Sequence, residues 1–139
     1  KNRFIRPQRP RGPIRMMLDS FAWMEYFMGT QKGEKVKTLV DDDSQLYTSP
    51  IVIAEIYSKS LRTDGKAEER KEFITKRCAV VALDVNIAVE SAKIHAENKA
   101  KTPDFGLADA IILASARSRK IKVLTGDPHF KNFKDAVML

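Results

Sequence analysis

Of the eighteen acidic residues in this chain, four stand at an element terminus or in an apolar context. Glu55 lies inside IVIAEIY, flanked by Ile53, Ala54, Ile56 and Tyr57. A carboxylate in such a stretch is costly to bury unless a cation or a hydrogen-bond donor meets it. Asp109 sits in GLADAIILASA, the most apolar helical stretch of the sequence. Asp19 directly follows the apolar run IRMML, and Asp127 follows KVLT within TGDPHF. Carboxylates drawn together repel one another unless a cation neutralises them, and hard divalent cations take oxygen ligands. Convergence of the four would therefore favour a metal. Each also has a plain structural reading: Asp19 as a helix cap, Asp109 as a complement to a helix dipole, Glu55 on a solvated helix face, and Asp127 as the turn residue before Pro128.

Other chemistries find less support. Cys78 is the only cysteine, so there is no internal disulfide and no CxxC pair, which fits a reducing cytoplasm. His95 and His129 have no ligand spacing and read as surface or packing residues, although His129 stands close enough to Asp127 to touch a phosphate. No nucleophile elbow, GxGxxG string or P-loop occurs.

The elements that must position these acids follow from apolar runs and capping signals. Strands are expected over 14–18, 45–48, 79–83, 121–125 and 136–139. Between them the periodicity predicts helices at FAWMEYFM, closed by Gly29, and at 32–40. A third helix is opened by Ser49-Pro50 and runs to Arg62; others cover 66–77, about 85–101 (capped by Asp84) and 107–119. Phe21, Trp23, Tyr26 and Phe27 read as core or subunit interface. Arg117, Arg119, Lys120 and Lys122 read as cations at a helix end, with steering of nucleic acid as the alternative. Strands alternating with helices imply right-handed crossovers: an α/β fold of three layers, with a mainly parallel central sheet of four to five short strands and helices on both faces. Ligands in such sheets bind beyond the carboxyl ends of the strands, where Asp19 and Asp127 fall.

A length of 139 residues, 43% apolar and 31% charged, makes one domain able to bury a core without disulfides. No apolar run approaches the roughly 18 residues of a membrane span, so no membrane is expected. The net charge of +7 is unevenly placed. Residues 1–15 carry Lys1, Arg3, Arg6, Arg9, Arg11 and Arg15 and no acid; the remainder has 19 basic against 18 acidic residues. With Pro7, Pro10 and Pro13 interleaved, 1–15 is expected to be a basic flexible tail. It reads as vector-derived or upstream sequence ahead of a start at Met16 or Met17, or else as a nucleic-acid-binding arm.

LDSFAWMEYF, SPIVIAEIYSKSLR and GLADAIILASARSRKIKVLTGDPHF resemble the PIN-domain nucleases, and within them the VapC-type toxins of toxin–antitoxin pairs. The resemblance covers essentially all of 16–139. It rests on an Asp ending the first strand (Asp19), a Glu about one helix later (Glu55), an Asp opening an A-D-A helix (Asp109), and the T-x-D of Thr125-Gly126-Asp127. It implies an endoribonuclease that hydrolyses RNA phosphodiesters with Mg²⁺ or Mn²⁺, forms a homodimer, and is restrained in the cytoplasm by a protein antitoxin whose basic side chain can neutralise the acids. In that family frame Asp19, Asp109 and Asp127 are metal ligands. Glu55 orients or deprotonates the attacking water, Thr125 and Ser20 support the acids, and Asp104 is an outer candidate. The rivals are a PIN nuclease of RNA processing without an antitoxin, and a non-catalytic PIN-like or response-regulator-like binding module. Against a receiver-type module, Asp19 has no acidic neighbour and no lysine is suitably placed after the last strand.

Overall fold

The computed structural model describes residues 13–139, so nearly all of the basic segment lies outside the described residues. Arg15, grouped with that segment by its charge, is instead the first residue of strand β1 (Arg15–Leu18) and donates to the Tyr47 hydroxyl at 3.0 Å. After β1 come α1 (Ser20–Met28), α2 (Gln31–Asp41), β2 (Gln45–Thr48), α3 (Pro50–Arg62), α4 (Ala67–Arg77), β3 (Ala79–Val80), α5 (Val85–Asn98), α6 (Leu107–Ser118), β4 (Lys122–Thr125) and β5 (Ala136–Met138). A single 3-10 turn, Pro128–Phe130, stands between β4 and β5 where the sequence suggested only a turn at 126–128.

All five strands are parallel, in the order β3-β2-β1-β4-β5. Met17 of the central strand faces Tyr47 on one side and Val123 on the other. The chain steps outward from β1 to β2 to β3, then returns past β1 to β4. Right-handed crossovers then put α1–α4 on one face and α5 and α6 on the other, which is the expected three-layer architecture. The direction reverses between β1 and β4, and the crevice beyond their carboxyl ends is the usual place for a ligand.

Burial explains the sequence pattern. Met17, Leu18, Val123 and Leu124 of the two central strands are buried, as expected for a sheet covered on both faces. In α6, Ala110, Ile112, Leu113, Ala114 and Ala116 are all buried, so the helix is apolar nearly all round. Trp23 is fully buried and stacks on Phe27 at 5.6 Å, and Tyr26 and Phe27 pack against the core, whereas Phe21 is half-buried outside it. The strand expected over 79–83 shortens to two residues. It is a sheet edge with one neighbour, and after a bond from the Val81 N–H to the Thr48 carbonyl (2.8 Å) Val81 buries its side chain in the core.

The α1–α2 corner depends on one close approach. Gly33 in the first turn of α2 lies against the backbone of Glu25 and Tyr26, and a Cβ at this position would overlap the Glu25 carbonyl. Alanine in a helix ordinarily gains about 1 kcal/mol over glycine. Here the sign should reverse: Gly33→Ala is expected to destabilise by about 1–3 kcal/mol, as overpacking does. A urea midpoint equal to or above that of the parent protein would show that α2 can move away from α1 freely.

Candidate active site

Two strand ends and two helices bring the four acids together at the crevice between β1 and β4. Asp19 leaves β1 and caps α1, its Oδ1 accepting the Ala22 N–H at 2.9 Å. Only 3% of it is exposed. Burial is the main reason its carboxyl is pushed up to about 7; Asp127 and Asp109 add to the rise, while the Thr125 hydroxyl and the Ala22 N–H oppose it. Thr125, the last residue of β4, is itself fully buried and accepts the Asp127 N–H at 2.9 Å. One hydroxyl thus links the acids of the two strands.

Between Thr125 and Asp127 the chain has no room for a side chain. Gly126 is packed against the Phe21 ring, and a Cβ would overlap the ring edge. Asp127 then turns the chain, its Oδ1 accepting the His129 N–H at 2.9 Å. Asp109, in the first turn of α6, accepts the Gly106 N–H through Oδ2 at 2.9 Å. Burial raises the Asp109 carboxyl and Asp127 raises it further; the Gly106 N–H and His129 act against this. Glu55, in the middle of α3, is also raised, first by burial and then by Asp109 and Asp127, with a hydrogen bond from the Ser20 hydroxyl opposing. Its Oε1 is buried and has no partner among the described residues.

His129, which its sequence context marks as a surface or packing residue within reach of a phosphate rather than as a ligand, belongs to this group. Its Nδ1 lies 3.2 Å from Asp127 Oδ1 and 3.8 Å from Asp109 Oδ2. Single ligand atoms of Asp109, Asp127 and His129 all fall within 4.8 Å of one another. The signal was present in the short Asp127-Pro128-His129 turn, which folds the ring back toward the acids. Asp104 is exposed and takes no part in these contacts, and His95 lies elsewhere on α5. Of the basic residues at and beyond the end of α6, Arg117 in its last turn is paired with Asp135 at 2.6 Å, and Lys122 begins β4 at the end opposite Thr125.

The donor set suits a hard divalent cation: carboxylate oxygens of Asp109 and Asp127 with an imidazole nitrogen beside them, the carboxyls of Asp19 and Glu55 near enough to feel the same charges, and a buried Glu55 oxygen without a hydrogen-bond partner among the described residues. Next to the acids a cleft of about 580 Å³ opens between α1 and α3.

The buried acid gives a pH signature. Because the Asp19 carboxyl is raised from 3.8 to about 7 in the folded chain, the folded state retains a proton that the unfolded chain loses between about pH 4 and pH 7. Stability of the metal-free protein should therefore decline as pH rises through that window. Asp19→Asn keeps a capping side chain and removes the charge, so it should flatten the decline and leave the variant more stable at pH 8 by about 2–4 kcal/mol. Superimposable stability–pH curves for the two proteins would rule out a strained Asp19.

The sequence matches the PIN domain family over residues 16–136. No curated protein matches it. In fold it is similar to VapC20 from Mycobacterium tuberculosis, a sarcin–ricin loop cleaving toxin, with a TM-score of 0.74 and 15% identity over 89% of this chain and 98% of that one. It is also similar to a toxin–antitoxin complex from Klebsiella pneumoniae (TM-score 0.72, 19% identity, 88% and 96% covered). A third is VapBC-1 from nontypeable Haemophilus influenzae (TM-score 0.69, 21% identity, 91% and 97% covered). At such identities these structures show a shared fold. The family match spans almost the whole described chain, and the protein belongs to the PIN domain family.

Proposed function

We propose that this protein is a divalent-metal-dependent endoribonuclease that hydrolyses RNA phosphodiester bonds and serves in the cytoplasm as the toxin of a toxin–antitoxin pair. The observation that carries the reading is the meeting of Asp19, Glu55, Asp109 and Asp127 at the reversal point of the sheet, each acid held by a different element. Support for the toxin role comes from the shared fold with VapC20, described as a toxin that cleaves the sarcin–ricin loop, and with several VapBC complexes. A protein antitoxin and a second copy of the chain are the proposed protein partners.

Asp19, Asp109 and Asp127 would hold Mg²⁺ or Mn²⁺, with the His129 imidazole at their side. When bound, the ion supplies Lewis acidity and positive charge for a phosphate whose oxygens gain charge during in-line displacement. Glu55 is the residue for the attacking water. Glu55 lines the cleft, where its carboxylate can orient the nucleophile and accept its proton, and burial raises its carboxyl. The new bond joins the water oxygen to phosphorus, and the bond to the leaving ribose oxygen breaks. Thr125 and Ser20 act through the acids: Thr125 fixes Asp127 by its N–H, and Ser20 donates to Glu55.

Incubation with a long RNA and Mn²⁺ should give fragments, and chelation should stop the reaction. Asp19→Asn and Asp109→Asn should each slow cleavage by about two orders of magnitude or more, because the charge stabilisation that a held cation supplies is worth several kcal/mol. Metal-dependent cleavage retained in both variants would reject the assignment; no Mn²⁺ uptake in calorimetry would favour a binding module without chemistry. Growth arrest on expression that these variants relieve would support the toxin role over RNA processing.

A further inference from the structure

The cleft beside the acids is not uniformly acidic. Its α3 wall carries Lys59 and Arg62 below Glu55, and its α1 wall carries Ser20, Phe21 and Glu25. On the RNA reading above, we propose that Lys59 and Arg62 form a phosphate rail, along which a single-stranded RNA runs from the carboxylates down α3.

Helical spacing puts the two cations on the face that bears Glu55, four and seven residues further on. At 1.5 Å per residue they stand about 6 and about 10 Å along the axis from it. Both are exposed, and neither is ion-paired with any described residue, although Glu25, Glu55 and Asp127 line the same cleft. Glu25 is engaged elsewhere, its Oε1 accepting from the Thr30 hydroxyl at 2.8 Å. Arg62 Nε makes one long bond, to the Ser58 hydroxyl at 3.4 Å, and neither cation has a carboxylate partner among the described residues, so both are suited to an anion that arrives later.

A polyanionic chain needs this arrangement. The phosphate at the acids is neutralised where the cation binds, but its neighbours would meet the field of four carboxylates with nothing to offset it. Lys59 and Arg62 supply that offset step by step. No general field does the same work, because outside residues 1–15 the chain holds 19 basic and 18 acidic residues. A cleft of about 580 Å³ lies in the range that encloses a drug-sized ligand, which is a nucleotide or two of a single strand.

The test is the salt dependence of RNA binding. A labelled single-stranded RNA of about 12 nucleotides is titrated in Mg²⁺ against Asp109→Asn protein, in which turnover is slowed enough for binding to be read. Each lost phosphate contact removes about 0.7 from the slope of log K against log salt. Lys59→Gln with Arg62→Gln should therefore lower the slope by about 1.4 and weaken binding roughly 10–30-fold at 0.1 M salt. Arg119→Gln with Lys122→Gln, equal in charge change but outside the cleft, should leave both unchanged. In the otherwise wild-type enzyme the rail variants should raise KM about tenfold and hold kcat within about threefold, as for positioning residues. A slope equal to that of the parent, an equal loss in the control pair, or no RNA binding by the parent would overturn the rail. Failure of the wild type to cleave, with the slope change intact, would overturn the nuclease reading alone.

Discussion

Electrostatic repulsion among converging carboxylates is the constraint around which this molecule is arranged. Ligand atoms of Asp109 and Asp127 come within 4.8 Å, and two carboxylates that close each disfavour the charged form of the other. Domains are stable by only about 5–15 kcal/mol in total, so the summed cost of gathering and burying such acids is one that the rest of the fold must offset. Burial of Asp19 and the half-burial of Glu55 and Asp109 push in the same direction, since each carboxyl is raised first by loss of water. The folded chain holds this cluster because the rest of it is conventionally stable. Its central strands are buried on both faces, α6 is apolar nearly all round, and Trp23, Phe105 and Phe130 are fully enclosed.

The acids keep their places through the backbone. One oxygen of Asp19 takes the Ala22 N–H, one of Asp109 takes the Gly106 N–H, and one of Asp127 takes the His129 N–H. Asp109 and Asp127 are thus each fixed by a cap or turn bond through a single oxygen, which leaves the second oxygen for other work, while Asp19 takes the Thr125 hydroxyl as well. The structural and the functional readings of these residues are not competitors. A helix cap that is also a strand-end acid costs the fold nothing extra to orient, and rigid mounting of this kind is what a metal or a reacting phosphate requires.

That double use explains what could be read from sequence and what could not. Caps, turns and apolar runs are local, and they marked α1, α3, α6, β1, β2 and β4 to within a residue or so. The acids at their ends were visible for the same reason. The short form of β3 was not, because strand length at an edge is set by a single neighbour and by Val81 entering the core. The contact between Ser20 and Glu55 and the seat of the Phe21 ring on Gly126 arise from packing between elements far apart in sequence. His129 lay two residues from Asp127, but only the 3-10 turn after Pro128 aims its ring at Asp109. Histidine spacing along a chain says little when the partner comes from another element.

A cluster of this kind couples stability to any cation that can reach it. A divalent ion bound only by the folded chain stabilises it by mass action, and the gain grows with concentration over the dissociation constant. A lysine or arginine from a bound protein would relieve the same repulsion at the same place. Ion and basic side chain therefore compete, each raising the apparent dissociation constant of the other. Under the toxin reading, an antitoxin needs no conformational change in this domain to silence it. It has only to offer a positive charge to acids that the fold already holds in excess, and its grip would weaken as divalent ion is added.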